Sequence, residues 1–273
     1  MKILVYMDSE KYHHSPVLMG NIIAKATDGE VNVLVVVPKG GHLENGEAVA
    51  EQVKLDLDGC CPNIFIRQGN SKEIIREELD REPYQIVIAD TDRISRLKKS
   101  IEVDPVLIKQ SAISLLLTQQ TKPRLNKILL CAGCKEDDYS LITQSSGLAG
   151  DLEAEVTLLH VFPGAVPSMY TGLEQIEETV DEILQTDTPF AKYLRRCVEI
   201  LKENNIKSEV KIRRGIPIEE IIRETQVENY DLVVIGSSKV DQGLLEMLLG
   251  NLAVKIINRI ELPVLVIGTR SLA

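Results

Sequence analysis

The chain repeats itself. Lys2-Ile3-Leu4-Val5 returns as Lys127-Ile128-Leu129-Leu130, and Glu30–Pro38 (EVNVLVVVP) returns as Glu155–Pro163 (EVTLLHVFP), both 125 residues further on. Tyr84-Gln85-Ile86-Val87-Ile88 returns as Tyr230-Asp231-Leu232-Val233-Val234 at an offset of 146, so the later copy has gained 21 residues between its second and fourth repeat elements. Such a duplication requires each half to build the same fold, and it lets every position be read against a counterpart. The length agrees: 273 residues are too many for one average domain and suit two of about 130. The predicted domains are 1–120 and 126–273, with the polar, Pro123-containing stretch 119–126 as linker.

Short apolar runs alternate with helical patterns throughout. In the first copy the runs are Ile3–Met7, Val31–Val37, Asn63–Arg67, Gln85–Ala89 and Ala112–Leu117. In the second they are Ile128–Ala132, Val156–Val161, Ser208–Ile212, Leu232–Ile235 and Val264–Ile267. Most are nearly unbroken in β-branched and aliphatic residues, as strands covered on both faces must be. Each copy therefore reads as an α/β domain, a five-stranded parallel sheet flanked by helices. The inserted residues are also legible. Leu173, Ile176, Val180 and Ile183 recur at helical spacing, Thr188-Pro189 reads as an N-cap followed by proline at the first helical position, and Phe190, Leu194, Cys197 and Leu201 continue a helical stripe. Residues 163–172 form a Gly- and Pro-containing loop, read as a connector or as a cover over strand ends.

Composition removes several function classes. Net charge is −10, and residues 1–125 carry 16 basic against 18 acidic side chains. Neither half has a basic face for nucleic acid, and aromatic residues for base stacking are only 4% of the chain. No run reaches the roughly 20 apolar residues of a membrane helix, so a cytoplasmic protein without membrane or nucleic-acid partners is expected. Five cysteines at irregular spacing make no disulfide framework. Walker, dinucleotide-binding and zinc-protease motifs do not occur.

In open parallel sheets, ligands bind beyond the carboxyl ends of the strands where strand order reverses. The first copy presents Asp8-Ser9 and Asp90-Thr91-Asp92 at its first and fourth strand ends. The second presents Ala132-Gly133-Cys134 and Gly236-Ser237-Ser238. Glycine at a strand end lets a phosphate approach the backbone without a Cβ in the way. Gly250-Asn251-Leu252 lies where the next helix begins, and free N–H groups there form an anion seat. Ser237 and Ser238 add hydroxyl donors, and Lys239 or Lys255 adds charge.

The tandem halves, the opening Ile3–Asp8, the Leu-Leu-His-Val ending at Val161, and the Gly236…Gly250-Asn251…Pro263-Val264-Leu265-Val266 stretch resemble the universal stress protein family. The resemblance implies two Rossmann-like (adenine nucleotide alpha hydrolase-like) domains. It implies ATP, ADP or AMP as ligand, with Mg as an optional companion and no obligatory cofactor. Its phosphate motif is Gly, two residues, Gly, nine residues, then Gly-Ser or Gly-Thr. A first-strand Asp meets the ribose or adenine region, and backbone at the second strand's end addresses adenine. The second copy aligns Gly236 and Gly250 with the outer glycines at one residue longer spacing, has Lys239 or Val240 for the inner glycine, Asn251 for Ser/Thr and Gly133 for the Asp. Val161 falls at the adenine position. In the first copy Asp8 matches, with Ser9 and Val36 beside it, but Asp90 replaces the glycine and Ile101-Glu102 falls on Gly-Ser. That site is read as degenerate, since Asp90 and Asp92 repel phosphate.

Other candidates weigh less. Cys131-Ala132-Gly133-Cys134 is a C-x-x-C without a second pair for zinc, and Cys131 falls inside a strand, which favours packing over redox chemistry. Cys60-Cys61 reads as free thiols, His160 as a core residue, and His13-His14 as a solvated helix start. The expected function is a non-enzymatic, tandem stress-response protein, with slow ATP hydrolysis at most, that binds adenine nucleotide in its second domain. The alternative is a nucleotide-free interaction scaffold. A monomeric pseudo-dimer or a homodimer, with a protein partner, is compatible with both.

Overall fold

A computed structural model describes residues 1–57, 62–90, 113–119, 122–133, 138–163, 180–236 and 255–268. The first half carries β1 (Lys2–Asp8), α1 (His14–Thr27), β2 (Glu30–Pro38), α2 (Leu43–Asp56), β3 (Asn63–Gly69), α3 (Ser71–Arg81), β4 (Ile86–Asp90) and β5 (Ser114–Thr118). The second carries β6 (Lys127–Ala132), α4 (Asp138–Asp151), β7 (Glu155–Pro163), α5 (Val180–Gln185), α6 (Pro189–Glu203), β8 (Ser208–Gly215), α7 (Pro217–Val227), β9 (Leu232–Gly236) and β10 (Val264–Ile267). All ten expected strands are present. The edge strands β3 and β8 outrun their apolar runs, to Gly69 and Gly215, because they are only half-buried.

The strands form one sheet in the order β3-β2-β1-β4-β5-β10-β9-β6-β7-β8. Within each half all pairings are parallel, and the order is that of a doubly wound sheet whose reversal lies between β1 and β4, or β6 and β9. The halves meet through β5 and β10, which pair antiparallel with Val264 beside Leu117 and Val266 beside Leu115. The two carboxyl edges therefore face opposite ways. Every β5 and β10 residue is buried at this junction, and the residues paired across it, Leu115–Leu117 with Val264–Val266, are all apolar.

Alternation along β1 feeds two cores. Ile3, Val5 and Met7 join α1, α4 and α6 on one face, while Leu4 and Tyr6 join residues of α3 and α7 on the other. Full burial of each such aliphatic side chain contributes about 1.5–3 kcal/mol. Both cores run through both halves.

The inserted helix α6 starts as its sequence dictates. Thr188 is extended, its Oγ1 accepts from Ala191 N at 3.2 Å, and Pro189 occupies the first turn. Leu194, Cys197 and Leu201 are buried along its inner stripe, with Phe190 partly so. Thr188→Ala should cost about 1 kcal/mol in a denaturation experiment through loss of this cap. Residues Leu173 and Ile176 and the 164–172 part of the preceding loop lie outside the described residues; Val180 and Ile183 fall on α5.

Candidate functional site

The first half's strand-end residues converge and bind one another. Asp8 sits beside Val36 in the β1–β2 register, Ser9 N donates to Val36 O at 3.0 Å, and the Asp8 carboxylate accepts from Glu10 N at 2.9 Å. Asp90 ends the neighbouring strand, and its Oδ2 lies 3.1 Å from His13 Nδ1. Asp8, Ser9, Val36 and Asp90 are all buried. The expected solvated start to α1 holds for His14, which is exposed, and is corrected for His13, which is mostly buried. His13 is drawn in by Asp90, and His14 and Tyr12 both bond Asp56 at the end of α2. Burial alone would raise the Asp56 carboxyl, but these two partners hold it below its ordinary range.

The second half is built differently at the same place. The β6–β7 register ends at Ala132 beside His160, whereas β7 continues through Val161 and Phe162 to Pro163, paired there with Arg213, Arg214 and Gly215 of β8. Beyond Ala132 the β6 side of that strand carries no described strand pairing. The β6–β9 register sets Cys131 beside Ile235, so Gly133 and Gly236 stand at neighbouring strand ends at the reversal point. Two glycines thus stand where the first copy has Asp8 and Asp90. Ser237, Ser238, Gly250, Asn251 and Leu252, with Lys239, Thr91, Asp92, Ile101 and Glu102, lie outside the described residues.

A polar and aromatic cluster borders Gly133. His160 is buried as expected, and its Nδ1 bonds Ala132 O at 2.9 Å. Burial lowers its pKa, outweighing that hydrogen bond and the charge of Asp138, so the ring is neutral and Nδ1–H is the donor. Phe162 and Phe190 pack on it with ring centroids 4.7 and 4.9 Å away. Asp138, at the first turn of α4, accepts from the Tyr193 hydroxyl at 3.3 Å, and its Oδ2 lies 3.5 Å from where a Cβ on Gly133 would stand. Position-by-position sequence reading missed Asp138 because its counterpart is His13.

Cys131 lies partly buried within β6. Burial, then the nearby Glu224 charge, pushes it up to about 12, which disfavours thiolate at neutral pH. Cys60, Cys61 and Cys134 lie outside the described residues. Among the described residues no group of three or more His, Cys, Asp or Glu is placed to hold a metal ion, and no helix is long and apolar enough to cross a membrane. A separate cleft of about 330 Å³ lies between α1 and the start of β6, lined by Ile22, Ala26, Arg124 and Asn126 among others; it is remote from the strand-end glycines.

A second feature recurs in both copies away from these sites. Glu78 is fully buried and accepts from Arg67 at 3.0 Å and from the Tyr84 hydroxyl at 2.8 Å, while Asn32 donates to that hydroxyl at 2.9 Å. Glu224, 146 residues on, accepts from Arg213 at 2.7 Å, Lys211 at 2.8 Å and the Tyr230 hydroxyl at 2.9 Å. The constant offset of Arg, Glu and Tyr was the sequence signal for this network.

Comparison with known proteins places the molecule among relatives. The universal stress protein family model matches residues 124–268. Universal stress protein YxiE of Bacillus subtilis is 29% identical over 146 residues, covering 52% of this chain and 98% of that protein. A universal stress protein of Methanothermobacter thermautotrophicus is 30% identical over 107 residues, covering 38% of this chain and 73% of its own. The crystal structure of a universal stress protein from Archaeoglobus fulgidus superposes with a TM-score of 0.67 at 15% identity, covering 98% of this chain and 97% of that one. This last likeness is one of fold, over both halves.

Proposed function

The chain belongs to the universal stress protein family, and from that premise we propose a non-enzymatic stress-response protein whose second domain, 126–273, binds an adenine nucleotide. One observation carries the reading. Gly133, the residue after β6, and Gly236, the last of β9, stand at neighbouring strand ends at the reversal point, where the first copy has the buried carboxylates Asp8 and Asp90. At the fourth strand's end Asp90 repels a phosphate, whereas Gly236 carries neither charge nor Cβ to oppose one.

The ligand's parts follow from the strands. Phosphates belong near Gly236 and the segment carrying Ser237, Ser238, Gly250, Asn251 and Leu252, whose sequence suits backbone and hydroxyl donors. Adenine belongs at the overhanging backbone of β7 around Val161, with Ala132 and Gly133 between. Magnesium, when it accompanies the nucleotide, is carried by the phosphates. The first domain, 1–120, serves as the fused partner that completes the common sheet through β5 and β10.

Thermal-shift titration with ATP, ADP and AMP, with and without magnesium, tests this. At 100 times its dissociation constant a nucleotide should stabilise the protein by about 2.7 kcal/mol. Gly250→Val should abolish the shift and leave the unliganded transition in place. No shift with any nucleotide would remove the reading and leave a docking scaffold.

A further inference from the structure

We infer that the outer edge of β3 joins a second copy of this chain about a two-fold axis, so that the sheet continues from one molecule into the other. Among the described residues, β3 and β8 each have a strand neighbour on one side only. An outer strand presents unpaired N–H and C=O groups, and natural proteins blunt such an edge with charged side chains. β8 is blunted in this way. It carries Glu209, Lys211 and Arg214, and α5 lies against it. At the same register positions, 146 residues earlier, β3 has Asn63, Phe65 and Gln68. Its middle, Ile64-Phe65-Ile66, is uncharged and only half-buried. The two halves thus share an edge strand and differ in whether that strand is closed to pairing.

Self-complementarity identifies the occupant. Phe65 belongs to the core on the α3 face, whereas Ile64 and Ile66 belong to the core on the other. Antiparallel pairing about a two-fold at Phe65 therefore sets Phe65 beside Phe65 on one face, and Ile64 beside Ile66 twice on the other. Side chains opposed in this way lie about 4.5–5.5 Å apart, and apolar pairs at that spacing stabilise a sheet. The ends match in charge. Arg67 of each chain comes opposite Asn63 of the other, whose Nδ2 donates to Glu30 Oε1 at 2.8 Å. A guanidinium thus arrives beside a carboxylate at both ends of the pairing. The contact also closes on itself, because it uses the β3 edge of both molecules and leaves only the charged β8 edges outermost.

Sedimentation and light scattering of the full chain test this, with Phe65→Lys as the variant, since β8 carries Lys211 at the equivalent position. Wild type should have the mass of two chains and Phe65→Lys, at the same concentration, the mass of one. Like charges directly opposite each other at the two-fold oppose the pairing. In wild type the amide hydrogens of β3 should also exchange more slowly as protein concentration rises, while those of β8 should not change. That measurement needs no variant and decides the matter should Phe65→Lys fail to fold. A single-chain mass for wild type overturns the inference and leaves the edge to an extended peptide of another protein. A dimer that survives in folded Phe65→Lys overturns it by placing the interface elsewhere, and growth beyond two chains overturns the closed two-fold.

Discussion

Arg67→Ala is expected to destabilise the protein by about 3–5 kcal/mol, the cost of leaving a buried charge without its partner, and Arg213→Ala by only about half as much. The two arginines occupy equivalent positions, 146 residues apart, and each bonds a fully buried glutamate. Their settings differ in one respect. Glu224 keeps a second cation, Lys211 Nζ at 2.8 Å, when Arg213 is removed, whereas Arg67 is the cation paired with Glu78 among the described residues. Chemical denaturation of both variants measures the difference, and equal losses would show that Lys211 does not share the charge of Glu224.

The same network gives the molecule an acid limit. Burial alone would raise the Glu224 carboxyl, but hydrogen bonds from Lys211, Arg213 and Tyr230 together lower it from 4.5. Glu228, bonded by Lys127 and Lys211, is lowered to about 2. A carboxyl lowered on folding contributes stability above its unfolded value and loses it as pH falls through the folded one. Stability should therefore decline below about pH 4.5, and Glu224→Gln should flatten that decline while lowering stability at neutral pH.

What could be read from sequence divides along physical lines. Central strands such as Val33–Val37 and Leu232–Ile235 are apolar on both faces, which no helix of this amphipathic chain imitates, so they were legible. The Thr188-Pro189 cap was legible because its chemistry is local. The antiparallel pairing of β10 with β5 was not, because the apolar run Val264–Ile267 carries no mark of a second neighbour from the other half. The buried Glu78 and Glu224 escaped because each looks, in sequence, like one more charge on an acidic helix; only the threefold Arg, Glu, Tyr recurrence distinguishes them. At the candidate site, Gly133 and Gly236 were found by comparing copies residue by residue. Asp138 was hidden by that same comparison, since its carboxylate replaces a residue five positions earlier through space.

Returning the first copy's residue to the second should expose this exchange. Gly133→Asp is expected to cost about 2–4 kcal/mol at neutral pH, because the new side chain would start 3.5 Å from Asp138 Oδ2, and two like charges near 4 Å interact by about 4 kcal/mol at partly screened sites. The penalty is electrostatic, so it should shrink as salt is added. Adding Asp138→Asn should recover most of the loss at neutral pH. In a double-mutant cycle this appears as a coupling energy of about 1–3 kcal/mol of restoring sign. A purely steric clash would behave otherwise, since asparagine has nearly the same shape as aspartate and would rescue nothing.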